Sequence, residues 1–158
     1  MYFYGHLEDY IISFYTKMNI TNPRELDFNL IAKKLKINIF YWNDRSQALF
    51  LKDHAFIFLN KHLSPEQQQQ DFMHELCHIL LHTGDQMRMS PLFRKYQENK
   101  ATNFTYHACV PTFMLDNLTM PSNESKAIWM IQEMFHVELD FATKRLHQYL
   151  ANQKVYVR

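Results

Sequence analysis

The five residues His74 to His78 form an HExxH motif, and this motif constrains the fold because its chemistry requires a helix. Two histidines four residues apart lie on one helix face, about 6 Å apart along the axis, so both rings can reach one metal ion. The glutamate beside the first histidine can act on a water molecule at that ion. The composition makes a chance match rare, with roughly 0.03 expected in a chain of this length. The motif therefore predicts metal-assisted hydrolysis, most often of a peptide bond.

The residues around the motif predict a helix over about 65–83. Ser64 is a suitable N-cap, Pro65 suits the first helical position, and Gly84 suits the position after the helix ends. At about 100° per residue, the side chains that could bind a metal ion or transfer a proton share one face of this helix. They are Asp71, His74, Glu75, His78 and His82. An amphipathic helix with solvated histidines is the alternative, but such a face more usually carries Lys and Glu.

A catalytic zinc site needs a third protein ligand and an open position for water. His82 lies about 12 Å from His74 along the axis, so it is expected to cap the helix or orient a ligand. A second helix is predicted from about Leu92 to Cys109, and its Glu98 is the preferred third ligand. A solvated glutamate is the alternative for Glu98. The rival ligand, His107, lies on roughly the opposite side of that helix.

At these residues the sequence resembles the ImmA/IrrE family of metallo-endopeptidases. The matching segments are His74 to His82, then Glu98 to Thr105 in the pattern E-x-x-A-x-x-F, then Val110-Pro111. Cys77 stands where the family has Gly, and Thr105 stands where it has Ala. Both departures concern helix packing rather than the ligand set. The resemblance implies Zn²⁺ as the cofactor, His74, His78 and Glu98 as metal ligands, and Glu75 as the catalytic base.

The remaining patterns predict an α+β fold. A helix is expected at Arg24 to Leu35, and strands at Ile37 to Trp42, Gln47 to Lys52 and Ala55 to Leu59. The first two strands are joined by a turn at residues 43–46. We expect a small three-stranded antiparallel sheet packed on a zincin-like helical core, with the HExxH helix and a C-terminal helix pair at about 122–150. Residues 1–158 are expected to form a single domain, with its core motifs in 64–111.

Composition limits the classes of function. The chain has 158 residues, enough for one domain with its own core. A formal net charge of +1 lacks the excess of positive charge that is typical of proteins that bind nucleic acid or an anionic membrane. The sequence contains no 18-residue apolar stretch and no signal-peptide pattern, and its two cysteines suggest no disulfide framework. A cytoplasmic protein is expected, and the oligomeric state is not predicted.

In the expected mechanism, Glu75 takes a proton from the attacking water and passes it to the leaving amine. Asp71 or His82 would orient a ligand ring. Tyr106 and His107 are weak candidates for stabilising the oxyanion, and Met87 to Lys95 is a candidate lid. The substrate is expected to add as a strand along a sheet edge, with residues 55–59 as that edge. The resemblance implies that this substrate is a protein partner, a helix-turn-helix repressor of a phage or mobile element.

Three alternatives remain. The chain could be a zinc-binding regulatory module that acts by protein contact without proteolysis, although the presence of Glu75 argues against a purely structural zinc. Residues 126–150 could form a DNA-binding unit that presents basic and polar side chains, but the near-neutral charge disfavours it. These side chains are Lys144, Arg145, His147 and Gln148. Two histidines and a carboxylate also describe non-haem iron sites, yet the HExxH order on a helix favours zinc.

Overall fold

The computed structural model describes residues 5–81 and 90–155, which divide into two compact units. One holds the described residues up to Leu26 and from Tyr106 onward, and the other holds those between Asp27 and Thr105. The prediction of a single domain stays a prediction. The elements in chain order are α1 (His6–Lys17), a 3₁₀ turn (Pro23–Glu25), α2 (Phe28–Leu35), β1 (Asn38–Trp42), β2 (Gln47–Leu51), β3 (His54–Asn60), α3 (Pro65–Leu81), α4 (Pro91–Cys109), α5 (Thr112–Asp116), α6 (Glu124–Phe135) and α7 (Leu139–Val155).

The sheet of the 27–105 unit has the strand order β1-β3-β2. Strand β2 pairs with β3 in the antiparallel sense, with Ala48 opposite Ile57. Strand β1 pairs with β3 in the parallel sense, with Phe40 opposite Phe58. The α+β class and the small three-stranded sheet are therefore confirmed, whereas the prediction that all strands are antiparallel is wrong for the β1–β3 pair.

The place of β1 in the sheet accounts for this difference. Lys52 and Asp53 both have positive φ, 47° and 64°, which is the conformation of a tight two-residue hairpin matched to strand twist. This hairpin places β3 directly beside β2. Because β1 pairs with the other side of β3, the segment between β1 and β2 passes the end of β3 instead of forming a hairpin. Two bonds hold it there, from Asn60 N to Ser46 Oγ at 3.1 Å and from Lys61 N to Trp42 O at 2.9 Å.

Helix α3 packs its apolar face on this sheet, and α2 packs beside it. Phe72 and Leu76 of α3 are fully buried, as are Ile57 and Leu59 of β3. The ring of Phe28 lies 5.4 Å from that of Phe72. These contacts leave the opposite face of α3, which carries the histidines, only partly covered.

The helix predicted from Arg24 to Leu35 is divided into the 3₁₀ turn and α2. The side chain of Asp27 accepts a hydrogen bond from Leu30 N at 3.0 Å, so it acts as an N-cap in the middle of the predicted helix. An N-cap residue has extended backbone, and Asp27 has φ −120° and ψ 123°. The local capping signal therefore outweighs the apolar periodicity.

The other unit contains the expected C-terminal helix pair, α6 and α7, which contact each other. His136 ends α6 in the left-handed conformation, with φ 53°. Helices α1 and α5 were not predicted. The spacing of Ile11, Tyr15 and Met18 in and just beyond α1 was a usable signal, since all three are buried. The five residues of α5 are too few to show a period.

Arg145 on α7 is fully buried, so it cannot face DNA as the DNA-binding alternative requires. Its Nε donates to Val110 O at 2.9 Å, and its Nη2 donates to Thr112 Oγ1 at 2.8 Å. Thr112 Oγ1 in turn donates to Glu8 Oε1 at 2.7 Å. A buried guanidinium is tolerated here because these oxygens replace water. Without this cation, the DNA-binding alternative loses its strongest residue.

Replacing Arg145 with Met is expected to destabilise the protein by about 3 kcal/mol, because buried oxygens lose their charged donor. The free energy of unfolding would be measured by urea denaturation. Lys144→Met is the matched control, since Lys144 is the exposed neighbour on the same helix; its effect should stay within about 0.5 kcal/mol. Equal effects of the two substitutions would contradict the structural role of Arg145.

His107 provides a pH-dependent contribution to stability in the same unit. Burial, and then the Arg145 charge, lower the pKa of His107 to about 4, against the opposing effect of Glu8. Since an unfolded histidine has a pKa of about 6.5, the unfolded state binds more protons between those values. The contribution is therefore present above about pH 6.5 and is lost as the pH falls toward 4.

We expect the stability difference between the wild type and His107→Gln to shrink by about 1–2 kcal/mol between pH 7 and pH 5. Urea denaturation at each pH would measure it. The control is His136→Gln, since His136 is exposed. Its stability should follow that of the wild type across the range. Parallel curves for wild type and His107→Gln would refute the assignment.

Candidate metal centre

The two histidines of the HExxH motif project from the half-buried face of α3. Because they are separated by one helical turn, the rings of His74 and His78 lie side by side, with centroids 5.2 Å apart and planes at 72°. Phe72 and Leu76 anchor the opposite face of the helix. The helix thus presents both Nε2 atoms in one direction.

Glu98 on α4 supplies a carboxylate to both rings. Its Oε2 lies 2.8 Å from His74 Nε2, and its Oε1 lies 3.2 Å from His78 Nε2. One ligand atom from each residue falls within 4.8 Å of the others. Tetrahedral zinc with bonds of about 2.0–2.1 Å requires ligand atoms about 3.3–3.5 Å apart, so the spacing and the donor types suit zinc.

The three predicted ligands are thus brought together, and the rival His107 is not among them. It lies in the other unit and is buried there. In the described part of the chain, no second group of three His, Cys, Asp or Glu side chains has metal-binding spacing. Glu98 could not be chosen from the helical period alone, because its partner residues lie on another helix.

Glu75 lies beside this cluster and is held by the sheet. Its Oε2 accepts a hydrogen bond from Ala48 N of β2 at 2.9 Å. Burial raises the pKa of Glu75 to about 7; the Ala48 N–H and the Arg45 charge lower it, while Glu98 and Asp71 raise it. A partly buried carboxylate with a raised pKa is suited to accepting and releasing a proton near neutral pH.

A cleft runs beside the cluster along β2 and the segment that precedes it. Its described lining combines the motif residues with side chains of the sheet and its loops. The lining residues are Trp42, Asp44, Arg45, Ser46, Gln47, Ala48, Leu49, Phe50, Asn60, Leu63, Asp71, His74, Glu75, His78 and Glu98. Sequence reasoning missed the residues of β2 and its preceding loop, because their place in the cleft depends on which strand is at the sheet edge.

The strand at that edge is β2, so the prediction that residues 55–59 form the binding edge is wrong. Strand β3 is central, and its two sides pair with β1 and β2. A central strand has no free backbone groups for a peptide. Its side chains are apolar on both faces because Ala55, Ile57 and Leu59 are buried on one face and Phe56 and Phe58 stack with Phe40 on the other.

The structure places the other residues that were predicted for the site in different surroundings. Asp71 lines the cleft, but in the described part of the chain it makes no hydrogen bond to His74 or His78. The ring of Tyr106 packs on Phe141 at 4.6 Å, and neither Tyr106 nor His107 is among the cleft-lining residues. Cys77 is fully buried, as predicted, and burial raises its pKa to about 12.

His82, Gly84 and residues 87–89 of the predicted lid lie outside the described residues. In the remainder of the predicted lid, Ser90 directly precedes α4, and Pro91 to Lys95 belong to it.

Three features together define a site of the metallopeptidase type. They are an HExxH helix in a small α+β unit, a carboxylate from a second helix, and a cleft beneath an edge strand. The chain belongs to the peptidase M78 family, described as the IrrE N-terminal-like domain, whose profile matches residues 32–147. That family is one of zinc-type metallopeptidases, which favours zinc over iron at the cluster. The resemblance inferred from the motifs is thereby confirmed.

Two proteins of Bacillus subtilis (strain 168) are similar over most of their length. The chain is 41% identical to the phage-like element PBSX protein XkdA over 92% of this chain and 73% of that protein. It is 39% identical to the uncharacterized protein YqaB over 92% of this chain and 84% of YqaB. These identities support the family assignment, and XkdA places one relative in a phage-like element.

One solved structure shares the fold. A Mycobacterium tuberculosis transcriptional regulator superposes with a TM-score of 0.59 at 15% identity, over 88% of this chain. The chain spans about half of that protein, 46%. Separately, none of the described helices combines the length and apolar character needed to cross a membrane.

Proposed function

We propose that this chain is a zinc-dependent endopeptidase that cuts a specific protein partner. The observation that carries the proposal is the position of Glu75, which lies beside the three-residue donor set and is hydrogen-bonded to the edge strand of the cleft. A structural metal site has no need of a carboxylate base beside it. A cleft bordered by a free strand edge also suits an extended peptide.

In this proposal, His74, His78 and Glu98 hold the metal, and Glu75 handles protons. Zinc, when bound, polarises the scissile carbonyl as a Lewis acid. Glu75 Oε takes a proton from the attacking water and then delivers it to the nitrogen of the leaving amine. The bond between Ala48 N and Glu75 Oε2 keeps the carboxylate beside the edge strand, where the peptide would lie.

Strand β2 offers backbone groups to that peptide. In an antiparallel pair, the N–H and C=O of alternate residues point away from the partner strand. Since Ala48 N–H points toward Glu75, its C=O and both backbone groups of Phe50 share this outward direction. A substrate strand along β2 would therefore pass Glu75 with its backbone held by hydrogen bonds.

The proposed partner is a helix-turn-helix repressor of a phage or mobile element, cut in the cytoplasm so that its genes are switched on. Two observations support this choice: the motif resemblance to the ImmA/IrrE family and the similarity to a protein of a phage-like element. Contact-based regulation by a zinc-binding module without proteolysis is the competing outcome of the experiment below.

The wild type is expected to bind one zinc ion per chain. Loss of a residue that only orients a metal ligand weakens metal binding roughly 10–100-fold. Because Glu98 is a proposed ligand itself, Glu98→Gln should weaken zinc binding by more than this. Zinc content after dialysis and competition with a chelator would measure both. Glu66→Gln is the control, since it makes the same chemical change on α3 away from the cluster. Unchanged affinity in Glu98→Gln would exclude Glu98 as a ligand.

Glu75→Gln should lower the cleavage rate by about 10²–10⁴-fold while zinc stays bound, because only the proton acceptor is lost. The zinc-loaded wild type and this variant would each be incubated with the repressor encoded beside the gene. Intact mass over time should show two fragments, which sum to the repressor plus one water, only with the wild type. If neither protein cuts while both bind zinc and the repressor, regulation by contact is the better account.

A further inference from the structure

Arg45 is a cleft residue whose backbone is fixed by hydrogen bonds and whose charge acts on Glu75. Trp42 Nε1 donates to Arg45 O at 3.0 Å, and Arg45 N donates to Asp44 Oδ1 at 2.7 Å. The side chain is exposed and lines the cleft. With the described residues, its guanidinium forms no hydrogen bond or ion pair. The loop therefore holds at the cleft wall a cation whose hydrogen-bonding groups are available to a ligand.

The other charged side chains that line the cleft are mostly carboxylates. Among the described lining residues, Arg45 is the one Lys or Arg, whereas four carboxylates share the lining. They are Asp44, Asp71, Glu75 and Glu98. Glu98 and the two histidines belong to the proposed metal centre. Away from that centre, the lining carboxylates disfavour an acidic group of a bound peptide, and Arg45 marks the place where such a group would be attracted.

The position of Arg45 along the chain limits how far this place lies from the reaction. Arg45 lies in the segment that precedes β2, three residues before Ala48, and Ala48 N contacts the proposed base Glu75. Three residues span at most about 10 Å between Cα atoms, even when fully extended. A peptide residue beside Arg45 is therefore within about three positions of the one beside Glu75.

We propose that Arg45 is a specificity residue that binds an aspartate or glutamate side chain of the substrate within about three residues of the scissile bond. The inference rests on the proposed peptidase function and on the strand-like binding along β2. A guanidinium pairs with a carboxylate through two parallel hydrogen bonds, which gives geometric selection as well as attraction. Neutral or basic side chains at that position gain no such contact.

The test uses binding rather than cleavage. The full-length zinc-loaded Glu75→Gln protein would be immobilised and exposed to a degenerate dodecapeptide library, and the retained peptides would be sequenced by mass spectrometry. With glutamine at position 75, any effect of Arg45 cannot act through the charge of Glu75. Acidic residues should be enriched about 5–10-fold at one position of the retained peptides.

The same selection would be repeated with further substitutions on the Glu75→Gln background. Arg45→Gln should abolish the acidic enrichment, and Arg45→Glu should replace it with enrichment of Lys and Arg. Lys34→Gln is the matched control, because it removes an exposed cation of the same unit that is absent from the cleft lining. It should retain the full acidic enrichment.

A kinetic comparison adds a second readout in proteins with Glu75 intact. For two retained peptides that differ only by Asp or Asn at the selected position, the wild type should show a KM about 5–10-fold lower for the Asp peptide. Arg45→Gln should lose this difference, and each protein should show the same kcat for the two peptides within about twofold, since the contact is the same in ground and transition states.

The inference is overturned if no peptides are retained, if acidic residues are not enriched, or if Arg45→Gln keeps the enrichment. These results are separate from the failure of the proposed function, which is absence of cleavage by the wild type. A selective cleft on a protein that does not cut would keep the Arg45 inference and support regulation by contact.

Discussion

The packing of α3 on the sheet is the interaction on which the rest of the metal centre depends. Phe72 and Leu76 are fully buried on one side of this helix. Because residues four apart share a helix face, burying them leaves His74 and His78 together on the other side. The hydrophobic contact thus orients the polar face, and Glu98 completes it from α4, 2.8 Å from His74 Nε2 and 3.2 Å from His78 Nε2.

The central position of β3 determines how the cleft is built around this face. The tight hairpin at Lys52 and Asp53 places β3 beside β2, and β1 pairs with the other side of β3, so strand β2 is left at the sheet edge. Its Ala48 N–H is then free to bond to Glu75. The pairing of β1 with β3 rather than with β2 therefore decides both which strand is available to a peptide and what holds the proposed base.

Two arginines differ in their roles because one is buried and the other is exposed. Arg145 is fully buried, and its donors are bonded to Val110 O and Thr112 Oγ1 in its own unit. A guanidinium in that setting stabilises the fold. Arg45 is exposed, and only its backbone is bonded, so its charge is available to a ligand. Both are ordinary cations in the sequence, and nothing in their local patterns distinguishes them.

The sequence by itself determined the HExxH helix, its polar face and the α+β class, because helical periodicity and capping act over a few neighbouring residues. Glu98 needed the family resemblance as well, since a single glutamate on a helix carries no local signal. Only the tertiary structure decided the strand order, the edge position of β2 and the burial of Arg145. These features depend on partners far apart in the chain, such as Arg145 and Val110, whose pairing no local period encodes.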